Sequence, residues 1–204
     1  MPGREIGSQM PRALLTIEDI ISAMQPILEI QPTERLVLIL CGLPGSGKTS
    51  LSKAIVSDNH TKWKYNSYDD RILISQQVNT GAKFPNPIPD LLHVWWAEAE
   101  FRKDLFNWLC TSKPGTGLVL DYNFSLKQER EEFTLVVEAA GVECQLVFLN
   151  FDEDILWARV CEKNQREEKL KVPGFVKTTR AMFEEDLSTF QEPQNEDEHI
   201  ARGT

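Results

Sequence analysis

A strand-length apolar run, a glycine-rich octet and a helix-compatible segment follow one another without a break between residues 36 and 56. The run is Leu36-Val37-Leu38-Ile39-Leu40-Cys41. The octet is Gly42-Leu43-Pro44-Gly45-Ser46-Gly47-Lys48-Thr49, which spells G-x-x-x-x-G-K-T, and Ser50 to Val56 continue it. A buried strand, a tight turn and a helix start are the setting of a phosphate-binding loop. Glycines let the backbone pass close to phosphate oxygens. Successive amides then form an anion nest at the positive end of the next helix. Residues Gly42 to Ser50 are therefore the expected cradle for a nucleoside triphosphate. Lys48 would reach the β- and γ-phosphates, and the Thr49 hydroxyl would bind Mg²⁺. A plain β–α turn with a surface lysine explains neither the whole octet nor its setting.

At 204 residues the chain suits one α/β domain, or one domain with a small appendage, and it can bury a sizeable core. A formal net charge of −9 disfavours broad contact with a nucleic-acid backbone, although it leaves room for a local basic cleft. Cys41, Cys110, Cys144 and Cys161 show no metal-ligand spacing, and Cys41 and Cys144 fall in strand segments. They read as reduced, buried thiols. His60, His93 and His199 share no metal spacing either. No apolar run is long enough to span a membrane, and no signal-type h-region follows Arg4. The expectation is a cytoplasmic protein without a membrane partner.

Residues 1–34 read as an N-terminal extension in which Thr16 caps a short helix carrying Ile17, Ile20, Ile21 and Met24. Residues 35–204 read as one domain. After the loop helix, Lys64 to Tyr68 form a weakly apolar strand with Asp69 and Asp70 at its carboxyl end. A short helix from Arg71 to Val78 and a proline-rich loop over 79–90 follow. A long helix from about Asp90 to Cys110 has Leu92, Trp95, Ala99, Phe106 and Leu109 near one face. Leu118 to Asp121 is a buried strand. Ser125 caps a helix that Gly141 stops, and Cys144 to Asn150 is the next strand. Helices from Asp152 to about Glu168 and from Thr178 to about Thr189 complete the reading. Alternating strands and helices imply an α/β fold whose mostly parallel sheet of 4–5 strands is covered on both faces. Ligands of such sheets bind at the carboxyl ends of the strands. That rule brings together the loop, Asp69 with Asp70, and Asp121.

Asp121, after a hydrophobic strand, stands where a Walker-B carboxylate holds Mg²⁺; the plainer reading is a strand-end turn. A carboxylate at Asp69, favoured over Asp70, can take the proton of an acceptor hydroxyl; the plainer reading is a solvated turn of charges. Arg71 either holds an acidic group of the substrate or pairs with one of these aspartates. Arg159, Lys163 and Arg166, at i, i+4 and i+7, fall in one helix stripe, for which a γ-phosphate is a fitting counter-ion. Neighbouring glutamates would relieve the same stripe in solvent. Trp95-Trp96 and F-P-N-P-I-P (84–89) form either an acceptor-pocket wall or ordinary core.

With these residues assembled, residues 36–198 resemble the AAA_33-type P-loop kinases, the broad group with polynucleotide kinase, zeta toxin and chloramphenicol phosphotransferase. The likeness lies in G-L-P-G-S-G-K-T, V-L-D-Y-N-F-S-L-K-Q-E-R (119–130), I-L-W-A-R-V-C-E-K-N (155–164) and F-Q-E-P-Q-N-E-D-E (190–198). It implies a P-loop NTPase three-layer α/β/α sandwich, nucleoside-kinase-like, with a helical lid at about 155–178. It implies ATP and Mg²⁺, with transfer of the γ-phosphate to a hydroxyl. The resemblance carries the transferase lysine onto Lys48, the acceptor-site aspartate onto Asp69, and lid cations onto Arg159 and Lys163. It also suggests a role for Arg130 near the substrate or lid; a helix-surface arginine among glutamates is the other reading. Two departures shape the expectation. Ile72 stands where polynucleotide kinases carry an arginine for a substrate phosphate, so the expected acceptor is an unidentified small molecule. A nucleic-acid end, or an ATPase without an acceptor, is the alternative. With Thr204 soon after the closing motif, the fifth strand of such a sheet is expected to be short or absent.

Overall fold

A computed structural model describes residues 32–58, 62–80, 91–172, 175, 177–196 and 198–202. The expected N-terminal helix and most of the proline-rich loop lie outside the described residues. In chain order the elements are β1 (Leu36–Cys41), α1 (Lys48–Asp58), β2 (Trp63–Ser67), α2 (Tyr68–Thr80), α3 (Leu91–Thr111) and β3 (Gly117–Asp121). They continue as α4 (Lys127–Ala139), β4 (Glu143–Asn150), α5 (Glu153–Leu170), α6 (Arg180–Thr189) and β5 (His199–Arg202). The strands form one sheet in the order β2-β3-β1-β4-β5, and every pairing is parallel.

β1 is buried along its whole length because successive side chains enter opposite faces of the sheet. Leu36, Leu38 and Leu40 join Leu51 and Ile55 of α1, Leu156 and Val160 of α5 and Phe183 of α6. Val37, Ile39 and Cys41 join Phe101, Leu105 and Trp108 of α3 with Phe133 and Val137 of α4. The result is a sheet between two helix layers. Gly117 sits opposite Trp63 in the β2–β3 register. A Cβ there would lie 2.3 Å from the indole ring, so this glycine lets the tryptophan lie across β3. The Arg35 guanidinium donates to Leu109 O and Ala140 O, each at 2.8 Å. One cation thereby satisfies open carbonyls at the ends of both α3 and α4.

Two local expectations change, and a third is settled between its alternatives. The buried face of α3 is His93, Ala97, Phe101, Leu105, Trp108 and Leu109, whereas Leu92, Trp95 and Phe106 are exposed, Trp95 by 80%. Only Leu109 of the expected face is buried. Apolar residues ring this helix, so periodicity does not select a side; packing against Tyr68, Phe124 and Phe133 does. Ser125 does not cap α4, which has Leu126 at that position. The first-turn amide of Lys127 is satisfied from 64 residues away, by Gln191 Oε1 at 2.8 Å, and the Ser125 carbonyl accepts from Gln191 N at 2.8 Å. The fifth strand is present and short: β5 pairs Val147 to Asn150 with His199 to Arg202.

The segment leading to β5 is tied down at Phe190, Glu192 and Glu196. Phe190 stacks on Phe148 with ring centroids 5.8 Å apart, and Asn150 Nδ2 donates to Glu192 Oε1 at 3.0 Å. Arg130 of α4 is not a surface residue. Its side chain is 1% exposed and donates from Nε and Nη2 to both carboxylate oxygens of Glu196, at 2.8 and 2.9 Å. Its Nη1 donates to Phe124 O at 2.9 Å. These bonds hold the Glu196 carboxyl below the usual carboxylate range. Removing one partner of a buried pair strands the other charge. Arg130→Met is therefore expected to lower the unfolding free energy by roughly 3–5 kcal/mol in urea titrations. Because the folded-state carboxyl titrates below its unfolded value, its contribution is complete above about pH 4.3 and fades as pH falls through the folded value. The variant should lack that acid-dependent step; an unchanged pH profile would contradict the assignment.

Candidate functional site

The loop after β1 turns on glycines that adopt positive φ, 84° at Gly45 and 98° at Gly47. At Gly45 there is a second reason. An added Cβ would lie 2.4 Å from Leu156 O, so the bare backbone lets the first turn of α5 sit directly on the loop. Ser46 N bonds Leu43 O at 3.1 Å, and the first helical bond of α1 runs from Leu51 N to Gly47 O at 2.9 Å. The amides of 47 to 50 are the open donors that every helix start carries. Together with the helix dipole they make the end of α1 an anion site.

Lys48 folds back over this loop, donating from Nζ to Gly42 O at 2.6 Å and to Leu43 O at 3.2 Å. Burial pushes its ammonium below the ordinary lysine value. The negative charges of Asp121 and Asp69 oppose that shift, and the positive charge of Lys163 adds to it. The parallel sheet thus brings Lys48, Asp121, Asp69 and Lys163 within electrostatic reach of one another. Asp121 ends β3 with only 6% of its surface exposed. Burial raises its carboxyl, while Lys48 and a hydrogen bond from Thr49 pull it down. Its Oδ2 is buried with no hydrogen-bond partner among the described residues, as is Ser46 Oγ.

A hydroxyl and a buried carboxylate oxygen without a partner suit a hard cation that takes oxygen ligands. No group of three His, Cys, Asp or Glu side chains among the described residues could hold a metal. A Mg²⁺ ion here would be completed by phosphate and water oxygens, as this ion commonly is.

Asp69 and Asp70 open the first turn of α2. Asp70 accepts from the Tyr65 hydroxyl at 2.9 Å. Asp69 is exposed and makes no side-chain hydrogen bond among the described residues. Arg71 pairs with Asp104 of α3 rather than with either aspartate. Arg159 Nη1 donates to Gly45 O at 3.4 Å while its guanidinium lies 4.6 Å from the centre of the Phe151 ring. Arg166 turns away and pairs with its neighbour Glu167 at 2.8 Å. The basic stripe is therefore split: its first two members belong to the loop side and its third to solvent. Trp95 and Trp96 are exposed on α3 and add nothing to the core there.

Several residues here had no individual site role assigned from the sequence. Tyr68 and Tyr122 directly flank Asp69 and Asp121, and their rings meet edge to face at 4.8 Å. Burial, with help from Glu98 and Asp69, pushes the Tyr68 hydroxyl up to about 12. Asn164 of α5 is buried and clasps residue 178 both ways, donating to Thr178 O at 2.8 Å and accepting from Thr178 N at 3.2 Å. Asp186 of α6, partly buried, feels the charge of Lys48. Burial drives the thiols of Cys41 and Cys144 up to about 12, which suits inert packing residues. No helix among the described residues is long and apolar enough to cross a membrane.

The family model of an AAA domain, AAA_33, matches residues 37–193. No curated protein matches the chain. Among solved structures, a candidate kinase from Chloroflexus aurantiacus j-10-fl is similar with TM-score 0.60 and 17% identity, over 83% of this chain and 88% of that one. A gluconokinase from Sinorhizobium meliloti 1021 is similar with TM-score 0.51 and 14% identity, over 85% and 84%. Kti12 of Chaetomium thermophilum, solved in complex with ADP-AlF3, is similar with TM-score 0.53 and 15% identity, over 80% and 87%. At such identities the likeness establishes the shared P-loop kinase fold.

The Gly45 contact gives a direct test of the loop. Gly45→Ala must strain a left-handed backbone and push α5 outward. A loss of at least about 1–2 kcal/mol in unfolding free energy is expected, together with weakened binding of a fluorescent ATP analogue. Wild-type values for both would mean that α5 does not rest on the loop.

Proposed function

The chain belongs to the AAA_33 family of AAA domains, and on that premise we propose that it is an ATP-dependent phosphotransferase that moves the γ-phosphate to a hydroxyl of a small molecule. The observation that carries the reading is that Lys48 and the carboxylates of Asp69 and Asp121 act on one another at the carboxyl edge of the sheet. An ATP-binding loop alone does not require Asp69 there.

In this reading Gly42, Leu43, Pro44, Gly45, Ser46, Gly47, Lys48, Thr49 and Ser50 hold the phosphates. Lys48 exchanges the Gly42 and Leu43 carbonyls for phosphate oxygens, which removes the cost of an ammonium held against neutral acceptors. Thr49 and Asp121 hold Mg²⁺; when bound, the ion neutralises charge on the phosphates. Asp69, which makes no side-chain hydrogen bond among the described residues, orients the acceptor hydroxyl and takes its proton. Arg159 and Lys163 offer positive charge from α5, within a lid spanning about 155–178 and a kinase domain at 35–204. A cytoplasmic setting, where ATP and Mg²⁺ are available, accords with this activity. The pairing of Arg71 with Asp104 weighs against a nucleic-acid end as acceptor, since that arginine is already neutralised.

Two variants test the assignment. Lys48→Ala is expected to lower transfer about 10²–10³-fold, the usual loss for one donor aimed at transition-state charge. Asp69→Asn should lower transfer to the hydroxyl about 10²–10⁴-fold while leaving ATP affinity nearly unchanged. The assay is labelled γ-phosphate transfer to a panel of hydroxyl metabolites, nucleosides and oligonucleotides. If no compound raises turnover above the rate with water, and Asp69→Asn does not alter it, the protein is an ATP-binding hydrolase and the phosphotransferase reading is wrong.

A further inference from the structure

The β2–β3 register pairs Ser67 with Asp121, so the next residues, Tyr68 and Tyr122, leave the sheet side by side at its carboxyl edge. Their rings meet at 4.8 Å with an interplanar angle of 64°. Both are braced from below: Phe101 lies 6.3 Å from Tyr68 and 5.7 Å from Tyr122, and Phe124 lies 5.2 Å from Tyr122. The braces are fully buried, whereas the two tyrosines remain partly exposed. One tyrosine precedes Asp69. The other follows Asp121, whose buried Oδ2 has no partner among the described residues.

Carboxylates outnumber cations around this shelf. Glu98 acts on both hydroxyls, Asp69 on that of Tyr68, and Glu129 and, with opposite sign, Arg102 on that of Tyr122. The nearby arginines are already engaged. Arg71 pairs with Asp104. Arg102 bonds Glu98 at 2.6 Å and lies 4.7 Å from the centre of the Phe133 ring. An anionic acceptor would meet Asp69 and Glu129 without a spare cation among these residues. A ring would meet aromatic faces and edges, and a cation would meet those faces beside Asp69 and Glu129.

We infer that Tyr68 and Tyr122 form the acceptor-binding shelf, and that the acceptor is a ring-bearing alcohol with no negative charge. This rests on the phosphotransferase reading, so its test separates binding from transfer. Phenylethanolamine, styrene glycol and mandelate share one phenyl ring and a benzylic hydroxyl but are cationic, neutral and anionic. Their affinities are measured calorimetrically on the full chain with Mg²⁺ and a non-hydrolysable ATP analogue. Phenylethanolamine and styrene glycol should bind at least about tenfold more tightly than mandelate. Tyr68→Leu and Tyr122→Leu should each weaken both by about fivefold or more, whereas the Phe variants, which keep the ring, should bind as wild type. Glu98→Gln should narrow the gap to mandelate, because Arg102 loses its partner. Mandelate binding as tightly as the others, binding unchanged in both Leu variants, or no binding of any probe would overturn the inference. Labelled γ-phosphate transfer is scored separately. Binding in the expected order without transfer to any alcohol overturns the phosphotransferase reading and leaves the ring and charge preference of the shelf standing.

Discussion

β1 pairs in parallel with β3 on one side and β4 on the other, and each candidate group depends on that pairing. Parallel strands all end at the same edge. The loop after Cys41, the carboxylate of Asp121 and the first turn of α2 therefore share one cleft, although they are far apart in the chain. The pairing is stable because β1 is apolar on both faces and helices cover both. Burial of a leucine or isoleucine contributes about 1.5–3 kcal/mol, so the same residues that build the core also fix where the polar ends meet.

A second set of contacts joins that cleft to the last part of the fold. Gly45 lies against the backbone of Leu156, Asn164 clasps Thr178, Gln191 supports the start of α4, and Arg130 holds Glu196 just before β5. These ties are unequal in strength. Exposed pairs such as Arg180 with Glu184 add little, because water screens them. The Arg130–Glu196 pair, shielded from water and bidentate, costs several times more to break. It fixes the closing segment at Glu196, ahead of the β4–β5 pairing.

Arginines that a sequence reader would reserve for a substrate are largely used for structure. Arg71 and Arg130 are spent on Asp104 and Glu196, and Arg166 on its neighbour. What remains beside Asp69 is aromatic and acidic. The positive charge available to a nucleotide comes instead from the loop side, from Lys48, Arg159 and Lys163. The loop side of this edge is thus cationic, while the side of Asp69 has its arginines Arg71 and Arg102 paired with carboxylates.

The sequence by itself determined the strand–loop–helix at 36–58, the alternation of strands and helices, and the positions of Asp69 and Asp121 at strand ends. These are local properties: a continuous apolar run, glycines at fixed spacing and breaks at proline or glycine act over a few residues. Tertiary structure decided which face of α3 is buried, because that helix is apolar all round and only its neighbours choose a side. It decided that Gln191, not Ser125, serves the start of α4, and that Arg130 is buried. It also set Tyr68 against Tyr122. Each depends on a partner tens of residues away, and the identity of that partner is set by strand order and packing rather than by any spacing along the chain.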